Sequence, residues 1–97
     1  MKYRIYILDD AKTDLKEIRR YLSDYGTVPK QKIKESFNTL IKNLADNPFI
    51  YSVYDDNQKY RKAVIEYGYL VFYTVENKIV RIQRVLNDRQ NVIRIIE

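Results

Sequence analysis

The sequence has no cysteine and no histidine among its 97 residues. Without cysteine there is no disulfide framework and no thiolate site, a count that fits a reducing compartment. Without histidine the chain lacks the commonest general base and the commonest zinc ligand. It also has no tryptophan, and only two glycines and two prolines. Tight turns and breaks are therefore few, and each should sit where an element ends. No apolar run reaches the roughly 20 residues of a membrane span. The opening Met1-Lys2-Tyr3-Arg4 leads into alternation rather than a signal-peptide core. A cytoplasmic protein without a membrane segment is the expectation. The length predicts a single domain over residues 1–97. No internal repeat, low-complexity segment or linker interrupts it.

What the chain does have is positive charge and tyrosine. The formal net charge is +5, the isoelectric point lies near 9.4, and there are ten tyrosines. A basic balance in a small domain suits a polyanion or an acidic partner, and equally suits simple solubility. Tyrosine joins an apolar body to a polar tip, which fits half-buried sheet positions and interfaces and can also stack on bases.

The stretch Tyr60 to Arg89 organises the rest. It reads as three consecutive antiparallel strands and a basic corner. The first strand ends at Tyr67-Gly68, where glycine tolerates the positive φ of a hairpin turn. The second, Tyr69 to Val75, is apolar on both alternating faces, which marks a central strand covered on two sides. Glu76-Asn77 is the next expected turn. The third strand, Lys78 to Leu86, puts Val80 and Ile82 on one face and Arg81 and Gln83 on the other. Arg84 shares the parity of Val80 and Ile82, so it must sit at the end of the core or beside a bulge.

A meander must bury a face, so earlier elements must cover it. Lys2 to Leu8 alternates like a half-buried edge strand, with Tyr3, Ile5 and Ile7 on one side. Asp9 or Asp10 is placed to cap a helix running to about Asp24, with Ala11, Leu15, Ile18 and Leu22 as its apolar stripe. Tyr25-Gly26 closes it. Thr27 is placed to cap a second helix with Pro29 in its first turn, and Asn47-Pro48 stops it. Its stripe is Ile33, Phe37, Leu40, Ile41 and Leu44. The short link makes the two helices an antiparallel hairpin. Ile5, Ile7, Leu15, Ile18, Leu22, Phe37, Leu40, Leu44, Val71, Phe72, Val80 and Ile82 are expected to supply most of the core. Phe49 to Lys59 reads as a loop pinned by Tyr51 and Tyr54. Its Asp55-Asp56-Asn57 run is solvated, since no pattern places a further carboxylate beside it for a metal. The tail Val92-Ile93-Arg94-Ile95-Ile96 is open to three readings: a helical turn, a last strand, or partner-facing surface. The predicted class is α+β, ordered β-α-α-β-β-β. The helical hairpin packs on one face of a twisted, mainly antiparallel four-stranded sheet.

In that order the chain resembles the RelE/ParE superfamily, the toxins of bacterial type II toxin–antitoxin pairs. The resemblance rests on the opening strand into Asp10-Ala11-Lys12-Thr13-Asp14-Leu15-Lys16-Glu17-Ile18, on Leu44-Ala45-Asp46-Asn47-Pro48, and on Tyr60-Arg61. It also rests on Tyr69-Leu70-Val71-Phe72-Tyr73-Thr74-Val75 and on Ile82-Gln83-Arg84-Val85-Leu86-Asn87-Asp88-Arg89-Gln90-Asn91. It spans essentially the whole chain, carried by order and spacing rather than by one motif. It implies a growth-inhibiting toxin neutralised by a cognate antitoxin in a hetero-oligomer. Its target is DNA gyrase in the ParE-like branch or ribosome-bound mRNA in the RelE-like branch. The mRNA-cutting members use Lys, Arg and often Tyr or His on the sheet's open face, without a metal. This chain has Leu70 where many of those nucleases carry Arg. It has Asn87 where a His is common in both branches. These departures weigh against RNA cleavage, while the Val85-Leu86-Asn87-Asp88-Arg89 spacing and the length of the helical hairpin look more like the ParE-like branch. No cofactor is implied.

RNA cleavage requires activating a 2′-hydroxyl, stabilising phosphorane charge and protonating a leaving oxygen. The candidates are Arg61, Arg81 and Arg89 for charge stabilisation, with Lys62, Arg84 and Tyr73 in support. The competing reading makes them rim cations paired with carboxylates, and makes the tyrosines packing residues. A lysine base would need a strongly lowered pKa. An acidic, partly disordered antitoxin segment is the expected partner of a cationic toxin. Val92, Ile93, Ile95 and Ile96, and the groove between helices and sheet, are its candidate landing surfaces. A third reading is a non-toxic basic nucleic-acid-binding module. The chain shows no helix-turn-helix, zinc-finger or aromatic RNA-binding signal for it.

Overall fold

The computed structural model describes residues 2–96. Strand β1 (Arg4–Ile7) leads into helix α1 (Asp9–Leu22), and a 3-10 turn and Gly26 connect α1 to helix α2 (Thr27–Asp46). Strands β2 (Arg61–Val64), β3 (Leu70–Glu76) and β4 (Ile79–Leu86) follow, and a short helix α3 (Val92–Ile96) closes the chain. The four strands lie in the order β1-β4-β3-β2. β1 is an edge strand parallel to β4, and the other two pairings are antiparallel. The expected α+β arrangement and element order are those observed.

Three expected boundary details differ. Leu8 holds the N-cap position of α1 without a side-chain cap, so Asp9 and Asp10 lie in the first turn. There they favour the helix through its dipole rather than by capping. Gly26 precedes α2, and Thr27 is its first residue rather than its cap. Gly26 has φ 98° and ψ −173°, a region open essentially only to glycine, which is what lets α2 fold back on α1. The β3–β4 turn is Asn77-Lys78 instead of Glu76-Asn77. Both residues have positive φ, as a two-residue hairpin turn requires. At the β2–β3 turn Tyr67 as well as Gly68 has positive φ.

The sheet is covered unequally. On one face Val71, Tyr73, Val80, Ile82 and Val85 pack with Ala11, Ile18, Leu22, Ile33, Phe37, Leu40 and Leu44 of the hairpin. The expected core residues Ile5, Ile7 and Leu15 are partly buried against this cluster. Phe72 belongs instead to a second cluster on the opposite face, with Leu86 and Ile96. β3 is thus the central strand covered on both sides that its sequence predicts. The register shifts between Phe72 and Tyr73, leaving Gln83 of β4 without a counterpart. This bulge carries Val85 back to the helix face and resolves the odd parity of Arg84.

Candidate functional site

The face away from the hairpin divides into a dry end and a polar end. At the dry end Val92, Ile95 and Ile96 of α3 lie on Phe72, Leu86 and Leu70, with Tyr54 and Tyr60 at the side. Of the tail's three readings, the helical turn is the one observed. Three of the four antitoxin-contact candidates therefore face the sheet, and Ile93 alone points outward, 55% exposed. Leu70, in the position where many related nucleases carry Arg, is part of this apolar patch. At the polar end Arg81 sits between Tyr6 of β1 and Thr74 of β3, and the amide of Gln83 donates to Thr74 Oγ1 at 3.2 Å.

The other site candidates do not converge on Arg81. Arg61 pairs with Tyr73 across β2 and β3 on the hairpin side. Its guanidinium donates to the Tyr51 carbonyl at 2.7 Å and lies 5.0 Å from the Phe49 ring centre. Tyr73 is fully buried, and its hydroxyl donates to the Pro48 carbonyl at 2.7 Å. Burial pushes its phenol up to about 12. Both residues thus tie the loop after α2 to the sheet. Lys62 lies on the opposite face, with its ammonium 5.5 Å from the centre of the Tyr54 ring.

Arg84 meets a residue that the sequence reading gave no role. β1 pairs with β4 only as far as Ile82, so the edge of β4 beyond it needs another partner. Asp14 of α1 supplies it. The Asp14 carboxylate accepts the Val85 backbone N–H at 3.0 Å and two Arg84 guanidinium N–H bonds at 2.7 and 2.9 Å. Hydrogen bonding to Asp14 raises the pKa of Arg84. One signal was available in the sequence. Asp14 falls on the apolar stripe of α1 and Arg84 has core parity on β4, two misfits that answer each other.

The basic corner is held by Asn87. Its side-chain oxygen accepts the N–H groups of Arg89 and Gln90 at 2.9 and 3.2 Å, and its own N–H donates to Gln90 Oε1 at 3.0 Å. Asparagine here is a turn former, as its short side chain allows. The turn exposes Arg89 at the rim of an open groove of about 770 Å³ between α1, the β2–β3 turn and the corner. Tyr21, Tyr25 and Tyr67 line this groove and are each at least half exposed. The Tyr21 and Tyr25 hydroxyls are 3.2 Å apart. Among the described residues no group of three or more Asp or Glu is placed to hold a metal ion. No helix among them is long and apolar enough to cross a membrane.

A hairpin of two helices thus covers one face of a four-stranded mixed sheet, with polar residues spread over a rim, a corner and an aromatic groove. The chain matches the family model described as the ParE toxin of the type II toxin–antitoxin system parDE over residues 5–92, and it belongs to that family. A solved structure titled as the chromosomal ParDE toxin–antitoxin system from P. aeruginosa is similar in fold. Its TM-score is 0.72 at 18% identity, covering 89% of this chain and 96% of that one. Among curated proteins none matches the sequence.

Proposed function

We propose that this protein arrests bacterial growth by binding DNA gyrase and that a cognate antitoxin relieves the arrest. Membership of the ParE family carries this reading. The candidate nuclease residues support it. Tyr73 and Arg61 hold the loop after α2, Arg84 is committed to Asp14, and Leu70 lies under α3. Arg81 and Arg89 are left on different parts of the surface, too scattered to activate a hydroxyl and stabilise a phosphorane together. The groove lined by Tyr21, Tyr25 and Tyr67 is the proposed antitoxin seat, because exposed tyrosines anchor partner segments at low entropic cost.

The test expresses the wild type, Arg81→Ala and Arg89→Ala with and without an antitoxin. Growth, gyrase–DNA cleavage complexes and codon-positioned mRNA cuts are measured together. Gyrase complexes in all three, with modest weakening in the variants, are expected, since rim charges mainly tune encounter. Ribosome-dependent cuts that fall by about 10²–10³ in either variant, with no gyrase complexes, would establish the mRNA-cutting alternative instead.

A further inference from the structure

The outer surface of the helical hairpin carries a pattern of charge that neither the fold nor the gyrase reading requires. Lys12, Lys16 and Arg19 recur at i, i+4 and i+7 on α1, and all are exposed. Helix rise spaces them about 6 and 10 Å along the axis. Asp14, Glu17 and Tyr21 face the tyrosine groove, so the Lys12–Arg19 stripe lies on the side turned toward α2. On α2 the side with Lys32, Glu35 and Asn43 faces a groove beside Val64 and Ile65. Lys30 and Lys34 are therefore on the side turned toward α1. The two basic stripes flank one seam, with no acidic residue interposed along either. None of these five cations makes an ion pair among the described residues, where the pairs are Lys2–Asp46 and Arg84–Asp14.

We propose that this seam binds the phosphate backbone of duplex nucleic acid. The chemistry of the surface selects that occupant over an acidic protein segment. A segment that folds on binding needs apolar anchors to offset its ordering. The side chains of the stripes are long cations, and the apolar Leu15 and Ile41 beside them are partly buried against the core. The exposed tyrosines Tyr21, Tyr25 and Tyr67 gather in the groove on the other side of α1, where Glu17 and Asp88 also lie. Phosphate binding asks only for cations at suitable spacing, and it gives affinity without sequence preference. The inference stands apart from the identity of the protein target: a toxin that engages any nucleic-acid-bound enzyme gains from a second contact of this kind.

The experiment is fluorescence anisotropy of a short labelled DNA duplex of arbitrary sequence, titrated with the intact protein over a series of salt concentrations. Three proteins are compared: the wild type, Lys16→Glu/Arg19→Glu on the seam, and Lys2→Glu/Lys59→Glu, which changes net charge equally elsewhere. All four positions are exposed, and circular dichroism verifies that the folds are equal. The seam variant is expected to bind at least about ten-fold more weakly, with a log–log salt slope shallower by about two phosphate contacts. The other variant should retain most of the affinity. Equal losses in both variants would mean diffuse attraction and would overturn the proposal. So would absence of binding by the wild type at low salt. Unchanged duplex binding by the seam variant with a lost antitoxin complex would reassign the seam to an acidic protein.

Discussion

The two faces of the sheet meet the same demand with very different cover. One face lies under α1 and α2, which span 14 and 20 residues. The other has α3, of five residues, with Tyr54 and Tyr60 beside it over one end, and its polar end is open. Yet Ile82 on the first face and Phe72 and Leu86 on the second are equally inaccessible to solvent. Equal burial therefore does not mean equal anchorage. A residue under the hairpin can be uncovered only by separating the layers. A residue under α3 loses its main cover when one turn of helix lifts, leaving the Tyr54 and Tyr60 rings at the side, and such terminal elements open locally at a fraction of the global cost. The hairpin face carries the fold. The α3 face is the one expected to open first.

Substitutions can break this contrast, and the largest effect is expected at the hairpin face. Ile82→Ala should cost roughly 2–5 kcal/mol, because the cavity is closed on either side by β1 and β3 and above by the helices. Leu40→Ala, from the opposing layer, should fall in the same range. Chemical denaturation with two-state fitting measures both. Near-neutral values for both would mean that the two layers do not share a core.

The next effect sits where the two faces meet, at the edge of β4. Asp14→Ala leaves the Val85 N–H without its acceptor and the Arg84 guanidinium without its partner. Removing one member of such a largely buried pair should cost about 2–4 kcal/mol. Asp14→Asn should recover part of this loss, because the amide oxygen can still accept from Val85. Equal losses in the two variants would argue that charge, rather than closure of the strand edge, is what Asp14 contributes.

Alkaline pH probes the hairpin face through Tyr73. Its folded-state pKa is raised to about 12, against an ordinary value near 10. The unfolded chain therefore loses this proton first. The stability it contributes is complete below about pH 10 and is lost as pH rises toward 12, about 2–3 kcal/mol by the time the folded phenol ionises. Tyr73→Phe should flatten that decline while costing about 1 kcal/mol at neutral pH for the lost bond to the Pro48 carbonyl. Denaturation midpoints from pH 9 to 12, read beside tyrosinate absorbance, decide it. An unchanged slope in Tyr73→Phe would place the late-ionising phenol elsewhere.

The hairpin face was legible in the sequence because periodicity encodes it. Ala11, Ile18 and Leu22 repeat with the helix, and Val80 and Ile82 with the strand. Those patterns suffice to name the layer they form. The other face was harder to read for a physical reason. Val92, Ile95 and Ile96 span little more than one turn, too few residues for a period to separate helix from strand. Strand parity also failed at Gln83, since a bulge has no residue type of its own. The site was less legible still. Arg61, Arg84 and Tyr73 were candidates by residue type, but their partners, Tyr51, Asp14 and Pro48, are 10, 70 and 25 positions away. No local pattern links such positions. The tyrosine groove likewise joins α1, a hairpin turn and the corner, which only the fold brings together.

The smallest effects are expected on α3, where its two sides should part company. Ile96 is buried against Phe72 and Leu86, whereas Ile93 is 55% exposed. Ile96→Ser removes the main anchor of the helix, but the cost is limited to what holds α3 down. A loss of about 1–2 kcal/mol is expected, below that of Ile82→Ala even though both residues are buried. Hydrogen exchange should locate the change, with faster exchange at β3 and β4 amides near Phe72 and Leu86 and none in α2. Ile93→Ser should alter stability by less than about 0.5 kcal/mol, as exposed substitutions do. If Ile93 is nonetheless the outward contact for an antitoxin, its serine variant should weaken the antitoxin complex several-fold with the fold intact. Equal stability losses at Ile96 and Ile82 would mean that α3 is as firmly anchored as the hairpin, and the proposed asymmetry of the two faces would fail.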